Sequence, residues 1–480
     1  MKKVIKGLHA CFLHLRRQAG SEGREGMKIE NDLGRDDIRR LVLRLAIPSM
    51  LAQLVNVLYS VVDRIYIGNI PVIGETALAG VGVSGPIVTM ISAFAYLVGI
   101  GGSPLMSIRM GQKNMEEAKK ILANSFLMLI AISAVITVFL LSTKRWILMQ
   151  FGASEAILPY AEQYFSIYVT GTIFALLSVG MNQFIICQGF ARIGMISVAL
   201  GAVINIVLDP VFIFLLNMGV SGAALATVLS QLASCLFVLI FLMGKQVPVR
   251  LSFGGYDIRL MRRITVMGLS PFLIIAFDNV LLIALNTAIQ RWGGTEADTL
   301  LTCTAIVQSF MLIVTMPLGG ITSGTGAILG YNFGARRPDR IRSAQKYIVL
   351  LALAFNSFMF LISRTAAKYF VFLFTRNEAY VSLTVWAIGI YTLGIIPLAV
   401  QYAIVDGYTG MGVPSLAVFL SMFRKTLFLG SVFVIPHFLG IENVFLSEAI
   451  SDFGGTALSV VVYLLTIRKI LRRCENEPEL

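Results

Sequence analysis

The residues in this chain that could do chemistry are few, and they sit where they are costly. Asp63, Asn205, Asp209 and Thr227 fall inside long apolar runs, and an ionised side chain in hydrocarbon costs at least about 2.5–3.5 kcal/mol. Gln53, Asn56, Ser60 and Asp63 recur at spacings of 3, 4 and 3, which gathers them into one polar stripe on a helix. Asn205 and Asp209 are four apart, hence on one helix face. The chain then turns at Met218 and Gly219 and returns past them with Thr227. Asp209 stands about eight residues before that turn and Thr227 about eight after it, so both lie roughly 12 Å inside the same boundary. Two carboxylates, an amide and a hydroxyl at one depth make an all-oxygen site for a hard cation, or a carboxyl pair that shares a proton. Blander readings stand beside this one. Gln53 and Ser60 could simply join neighbouring helices, and Asp63 could be a solvated end residue or a local partner of Arg64.

These residues must be positioned by membrane-spanning helices. Of 480 residues, 57% are hydrophobic and only 14% charged, against roughly a quarter charged in soluble domains. A crossing helix needs about 20 mostly apolar residues. Such runs are expected near 41–67, 79–106, 121–142, 160–187, 194–216, 220–243, 262–290, 299–328, 346–363, 380–406, 414–436 and 443–467. Backbone groups in lipid must be satisfied internally, and these runs are too long and unbroken for barrel strands. The fold class is all-α with twelve transmembrane helices. The net charge of +13 would fit a nucleic-acid partner, but it sorts by loop. Segments on the side of the termini hold about 30 of the 39 Lys and Arg, which is the positive-inside pattern. Both termini are therefore expected in the cytoplasm of a cell-membrane protein, and a nucleic-acid reading is unnecessary.

The chain also repeats. A shift of 223 aligns Pro48 with Pro271, Asn56 with Asn279 and Gly111 with Gly334; 218 aligns Gly189 with Gly407 and Gly194 with Gly412; 221 aligns Gly219 with Gly440. Two six-helix bundles follow, residues 38–243 and 262–467, related by a pseudo-twofold axis along the membrane normal. Residues 1–37 form a cytoplasmic N-terminal segment, 244–261 a linker expected to act as a hinge, and 468–480 a tail. By the repeat, Arg424, Lys425, Glu448 and Asp452 occupy the neighbourhood of Asn205, Asp209, Thr227 and Gln231. An ionic cluster that holds or gates the second bundle is expected there, pairing offsetting part of the desolvation cost. The alternative is that Arg424 reaches out to the interface and Glu448 lies at the rim. Asp406, beside the Gly-rich end of the tenth span, reads as a boundary residue. The run GGITSGTG at 319–326 reads as a close-packing surface.

The segments LAIPSMLAQLVNVLYSVVDRIYIG, SPLMSIRMGQKNMEEAKK, NIVLDPVFIF and MGVSGAALATVLSQ resemble those of the multidrug and toxic compound extrusion (MATE) family, and the likeness runs through both halves. The resemblance implies efflux of amphiphilic, cationic compounds in exchange for Na+ or H+. It implies a cation site at the positions of Asp63, Asn205, Asp209 and Thr227, and a bend of the first helix at Pro48. Pocket-lining amides would match Asn56 and Asn182, with Gln53 beside them. Some family members carry an acidic residue on the seventh helix. Here the aligned position holds Asn279, and Asp278 precedes it, which weakens the match in the second half; both are taken as cavity residues.

Enzymatic motifs are lacking: there is no phosphate loop, and His9, His14 and His437 form no metal or nucleophile constellation. Cys11, Cys187, Cys235, Cys303 and Cys474 imply no disulfide. The first 26 residues make a poor signal peptide, and Met27 is an alternative start. No cofactor is expected beyond the coupling ion, no partner beyond drug-like substrates and lipid, and the chain is expected to work as a monomer. The rival functions are a flippase for lipid-linked saccharides, which needs a cationic cavity, and a non-transporting scaffold or receptor, against which the repeat and the buried carboxylates argue.

Overall fold

A computed structural model describes residues 31–476. His9, Cys11, His14 and Met27 lie outside the described residues. Among the described residues twelve spans are long and apolar enough to cross a membrane, eleven single helices and one bent pair taken as one span. In the first half they are α1 (Ile38–Gly68), α2 (Gly74–Gly111), α3 (Met115–Gln150), α4 (Leu158–Thr170 continuing as Thr172–Ile186), α5 (Ala191–Pro210) and α6 (Gly219–Met243). The second half holds α7 (Ile258–Trp292), α8 (Ala297–Gly334), α9 (Pro338–Thr365), α10 (Glu378–Tyr391 continuing as Ile395–Gly410), α11 (Pro414–Leu439) and α12 (Leu446–Asn476).

Local sequence explains where helices begin and break. Asp37 and Asn114 cap α1 and α3 by accepting from Arg40 N and Glu117 N, each at 3.1 Å, which satisfies amides left orphaned at a helix start. Pro338 and Pro414 open α9 and α11, where a missing N–H costs nothing. The two limbs of α4 meet at 54° about Gly171. In α5, Pro210 is followed by a π-helical turn, Val211–Leu215, which begins two residues beyond Asp209; such turns concentrate at functional sites.

Lobes α1–α6 and α7–α12 join through their first two helices. α1 packs on α8 of the other lobe, α7 packs on α2, and α2 and α8 pack on each other. All this happens on the side carrying the termini and most Lys and Arg, here called the basic face. A Cβ on Gly111 would come within 3.0 Å of Tyr331 O, and one on its repeat partner Gly334 within 3.0 Å of Ile108 O. Gly320 and Gly324, from the glycine-rich run, leave the same tight space for Ser49 of α1. Close packing is therefore what the run does. Residues 31–36 lie over this seam. Asn31 donates to Gly189 O of the first lobe at 2.7 Å, while Arg337 donates to Gly34 O at 2.6 Å and Arg340 to Asp36 O at 2.8 Å from the second.

Two boundaries move from expectation. The non-helical connection ends at Asp257, whose side chain caps α7, so residues 258–261 belong to that helix. The connection is also no loose hinge. Val247 and Val249 are buried, Val249 N donates to Gln188 Oε1 at 2.8 Å, and Asp257 N to Asn124 Oδ1 at 2.9 Å. Its apolar, hydrogen-bonded side pins it to the first lobe. The tail expected from 468 continues α12 to Asn476.

Candidate functional site

The polar residues of the first lobe converge as their spacing requires. Asn205 on α5 donates through Nδ2 to Asp209 Oδ1 at 3.3 Å and lies 3.4 Å from Thr227 Oγ1 on α6. Thr227 in turn donates to Ala223 O at 3.0 Å. Asp63 approaches from α1 close enough for its carboxyl to interact with that of Asp209. Asp209 and Asn205 are fully enclosed, and Thr227 is buried. The expected quartet is therefore one cluster, in which Asp63 is half-buried with its Oδ1 enclosed.

The cluster has more acceptors than donors. Asp63 Oδ1, Asn205 Oδ1 and Asp209 Oδ2 are buried without a hydrogen-bond partner, as is Gln231 Oε1 one turn along α6. Orphan acceptors in a closed interior are costly, and several around one point are what a cation or a shared proton would satisfy. Tyrosines wall the cluster: Tyr59 of α1 and Tyr164 of α4 stand near Asp63, and Tyr168 meets Gln231 Nε2 at 3.5 Å. Sequence reasoning missed these three. Tyr59 was findable, one turn before Asp63 on the polar stripe.

Other expected residues behave differently. Gln53 and Asn56 keep each other company at 3.4 Å, with Gln53 also reaching Tyr96 of α2. Asn182 departs from the cavity role: it is buried, donates to Gly194 O at 3.4 Å and accepts from Ser197 Oγ at 3.2 Å, so its amide ties α4 to α5. Asn279 donates to Ile275 O of its own helix at 3.1 Å. Pro48 is buried inside α1, immediately before the Ser49 that sits on α8.

In the second lobe the ionic cluster exists, and it is larger than expected. Arg424 Nη1 meets Glu448 Oε1 at 3.1 Å and Asp452 Oδ1 at 2.9 Å, and Lys425 pairs with Asp278 of α7. Arg424 neither reaches the interface nor leaves Glu448 at a rim, because both side chains are nearly enclosed. Asp278, expected as a cavity residue, is tied into this cluster while its side chain stays about half exposed, at 54%. Gly394 leaves room for Asp452 and Gly455 for Arg424, each closer than a Cβ would permit. Glu448 and Asp452 are the repeat partners of Thr227 and Gln231, both at an offset of 221.

The MatE family matches residues 48–211 and 275–432, the cores of both lobes. The chain belongs to this family. Multidrug export protein MepA of Staphylococcus haemolyticus is 24% identical over 436 residues, covering 90% of this chain and 94% of its own. MepA of Staphylococcus aureus strain N315 is 22% identical over 433 residues, covering 89% and 94%. Among solved structures, an outward-facing MATE family transporter of the MOP superfamily superposes with a TM-score of 0.85 at 22% identity, covering 92% of this chain and 98% of that one. A MOP superfamily transporter from Pyrococcus furiosus, for which reversed polarity of the binding pocket suggests a different function, gives 0.84 at 22% identity, covering 93% and 98%. The fold is thus that of MATE transporters.

Proposed function

We propose that this MATE protein exports amphiphilic, cationic compounds from the cytoplasm across the cell membrane in exchange for Na+ or H+. The basic face is read as cytoplasmic, supported by the Lys and Arg asymmetry. The observation that carries the reading is the closed cluster of orphan acceptors on Asp63, Asn205 and Asp209, on a repeat fold whose relatives include multidrug export proteins. A cation or proton entering there relieves the repulsion of two adjacent carboxyls and draws α1 toward α5 and α6. Because α1 also forms the seam at Ser49, a change of its bend at Pro48 links occupancy to which face is open. An ion does this only if it binds one arrangement better than the other. Gln53 and Asn56 stand on the same face of α1 and would line the path of the drug. The flippase alternative needs a cationic cavity, and the two buried cations of the second lobe are matched by three carboxylates, so it gains no support.

The test is export of ethidium from proteoliposomes under an imposed pH or Na+ gradient. Wild-type protein should respond to one of them, and Asp209→Asn should lose at least about tenfold in ion-driven rate, the scale of losing a buried charged partner. Export by Asp209→Asn at the wild-type rate overturns the coupling role. Failure of wild type under both gradients overturns the export reading.

A further inference from the structure

Asp406 stands one turn before the end of α10 on the basic face. Along its own helix it is the boundary residue that the sequence implies. Laterally it is half-buried. Thr322 of α8 donates to its Oδ2 at 2.5 Å, and the carboxyl faces a cavity of about 30 Å³ at the seam between the lobes. The first lobe contributes Ser103, Ser107 and Gln183 to the lining, and the second contributes Ser323 and Thr409. Asp406 is the one ionisable carboxyl in that lining among the described residues, and neither Lys nor Arg shares it. The surroundings are therefore apolar side chains such as Ile100, Pro104 and Ile186, interspersed with neutral hydroxyls and one amide, around a single negative charge.

We propose that Asp406 is the entry site at which the cationic group of an exported compound first docks from the basic face. This rests on the export reading above. A compound arriving from that face must pass where the lobes part, and the seam runs through Gly111, Gly334 and Ser49 to the wall that holds Asp406. A parted seam exposes the carboxyl, already oriented by Thr322, with hydroxyl oxygens from both lobes around it. With the seam shut, the space left is about that of one or two water molecules, too small for an organic cation. Closure thus removes the docking site and releases the cation toward the outer half of the first lobe. Affinity for one arrangement and none for the other is the condition for driving a directional change. This site is separate from the Asp63 and Asp209 cluster, which lies at the other end of the route.

The experiment uses the full chain in proteoliposomes, with substrate supplied at the basic face. Ethidium, a permanent cation, is compared with the uncharged dye Nile red. Asp406→Asn should raise KM for ethidium about tenfold with kcat unchanged, leave Nile red unaffected, and keep the response to the driving ion. Asp406→Glu should recover most of the loss. Should Asp406→Asn fail to reach the membrane, Thr322→Val tests the same point, because it keeps the charge and removes only the orienting donor; a KM effect confined to ethidium is again expected. Equal effects on both dyes, a fall in kcat alone, or wild-type kinetics would overturn the entry site. A wild-type protein that exports neither dye would instead remove the export reading and this site with it.

Discussion

Arg424 illustrates how differently the two lobes treat the same place. In the first lobe the space between the fifth and sixth helices is ringed by unpaired oxygens; in the second, a guanidinium fills it and meets Glu448 and Asp452. The second lobe carries its cation on a side chain. Arg424→Met should therefore strand Asp452, which is fully enclosed, and destabilise the protein by about 3–5 kcal/mol. The double variant with Asp452→Asn should recover part of the loss in a thermal unfolding assay, whereas equal melting of single variant and wild type would deny the pairing its structural role. Residue chemistry was legible where it depended on spacing along one helix: Asn205 with Asp209, and Asp63 on its stripe. It was illegible where partners come from distant helices. Nothing in the sequence pairs Lys425 with Asp278, 147 positions apart, and nothing marks Tyr164 and Tyr168 as walls of a site rather than ordinary aromatic residues of a membrane helix. Asn182 failed for a related reason, because it follows the 54° bend at Gly171 and its facing direction cannot be extrapolated across such a break.

At the scale of elements, the seam is made by backbones rather than by side chains. α2 and α8 touch at Gly111 and Gly334, with no room for a Cβ on either. Gly334→Ala should push the two helices apart and favour the arrangement open to the basic face. Cys187 is a native reporter, since it is buried and lines the small cavity at the seam. With Cys187 as the sole cysteine, Gly334→Ala should raise its rate of labelling by a thiol reagent added at the basic face several-fold, in the manner of a population shift; an unchanged rate would show that the seam absorbs a methyl group without opening. The twelve crossings were legible because their apolar runs are long and their ends are punctuated by Gly, Pro and charge. The connection between the lobes was not. Its Pro, Gly and basic residues looked like a hinge, but the alternation of Val247, Val249 and Leu251 buries one side of it, and a pattern that short is hard to tell from chance.

For the whole molecule, the repeat accounts for the architecture, and the segment before α1 breaks its symmetry. Residues 31–36 bridge the lobes across the basic face, held by Asn31 on one side and by Arg337 and Arg340 on the other. Arg340 also grips Leu33 O at 3.3 Å and Asn332 Oδ1 at 3.0 Å. Hydrogen bonds from a charged donor contribute about 1.5–3 kcal/mol, so Arg340→Ala should accelerate hydrogen–deuterium exchange in residues 31–36 by about tenfold or more. Exchange at the wild-type rate would mean that the strap is held elsewhere.

The first helix has one more property. From Pro48 to Asp63 it runs 15 residues, about 22 Å at 1.5 Å per residue, and its near end rests on Gly320 and Gly324 at Ser49. It is a lever with its fulcrum in the seam. A swing of about 10° at the proline, modest for a proline-bearing helix, carries the Asp63 carboxyl about 4 Å, farther than a hydrogen bond is long. The far end therefore cannot hold its acidic neighbour on α5 at every angle the near end allows, and in the exchange proposed above the angle of one rod sets both the ion's grip and the state of the gate.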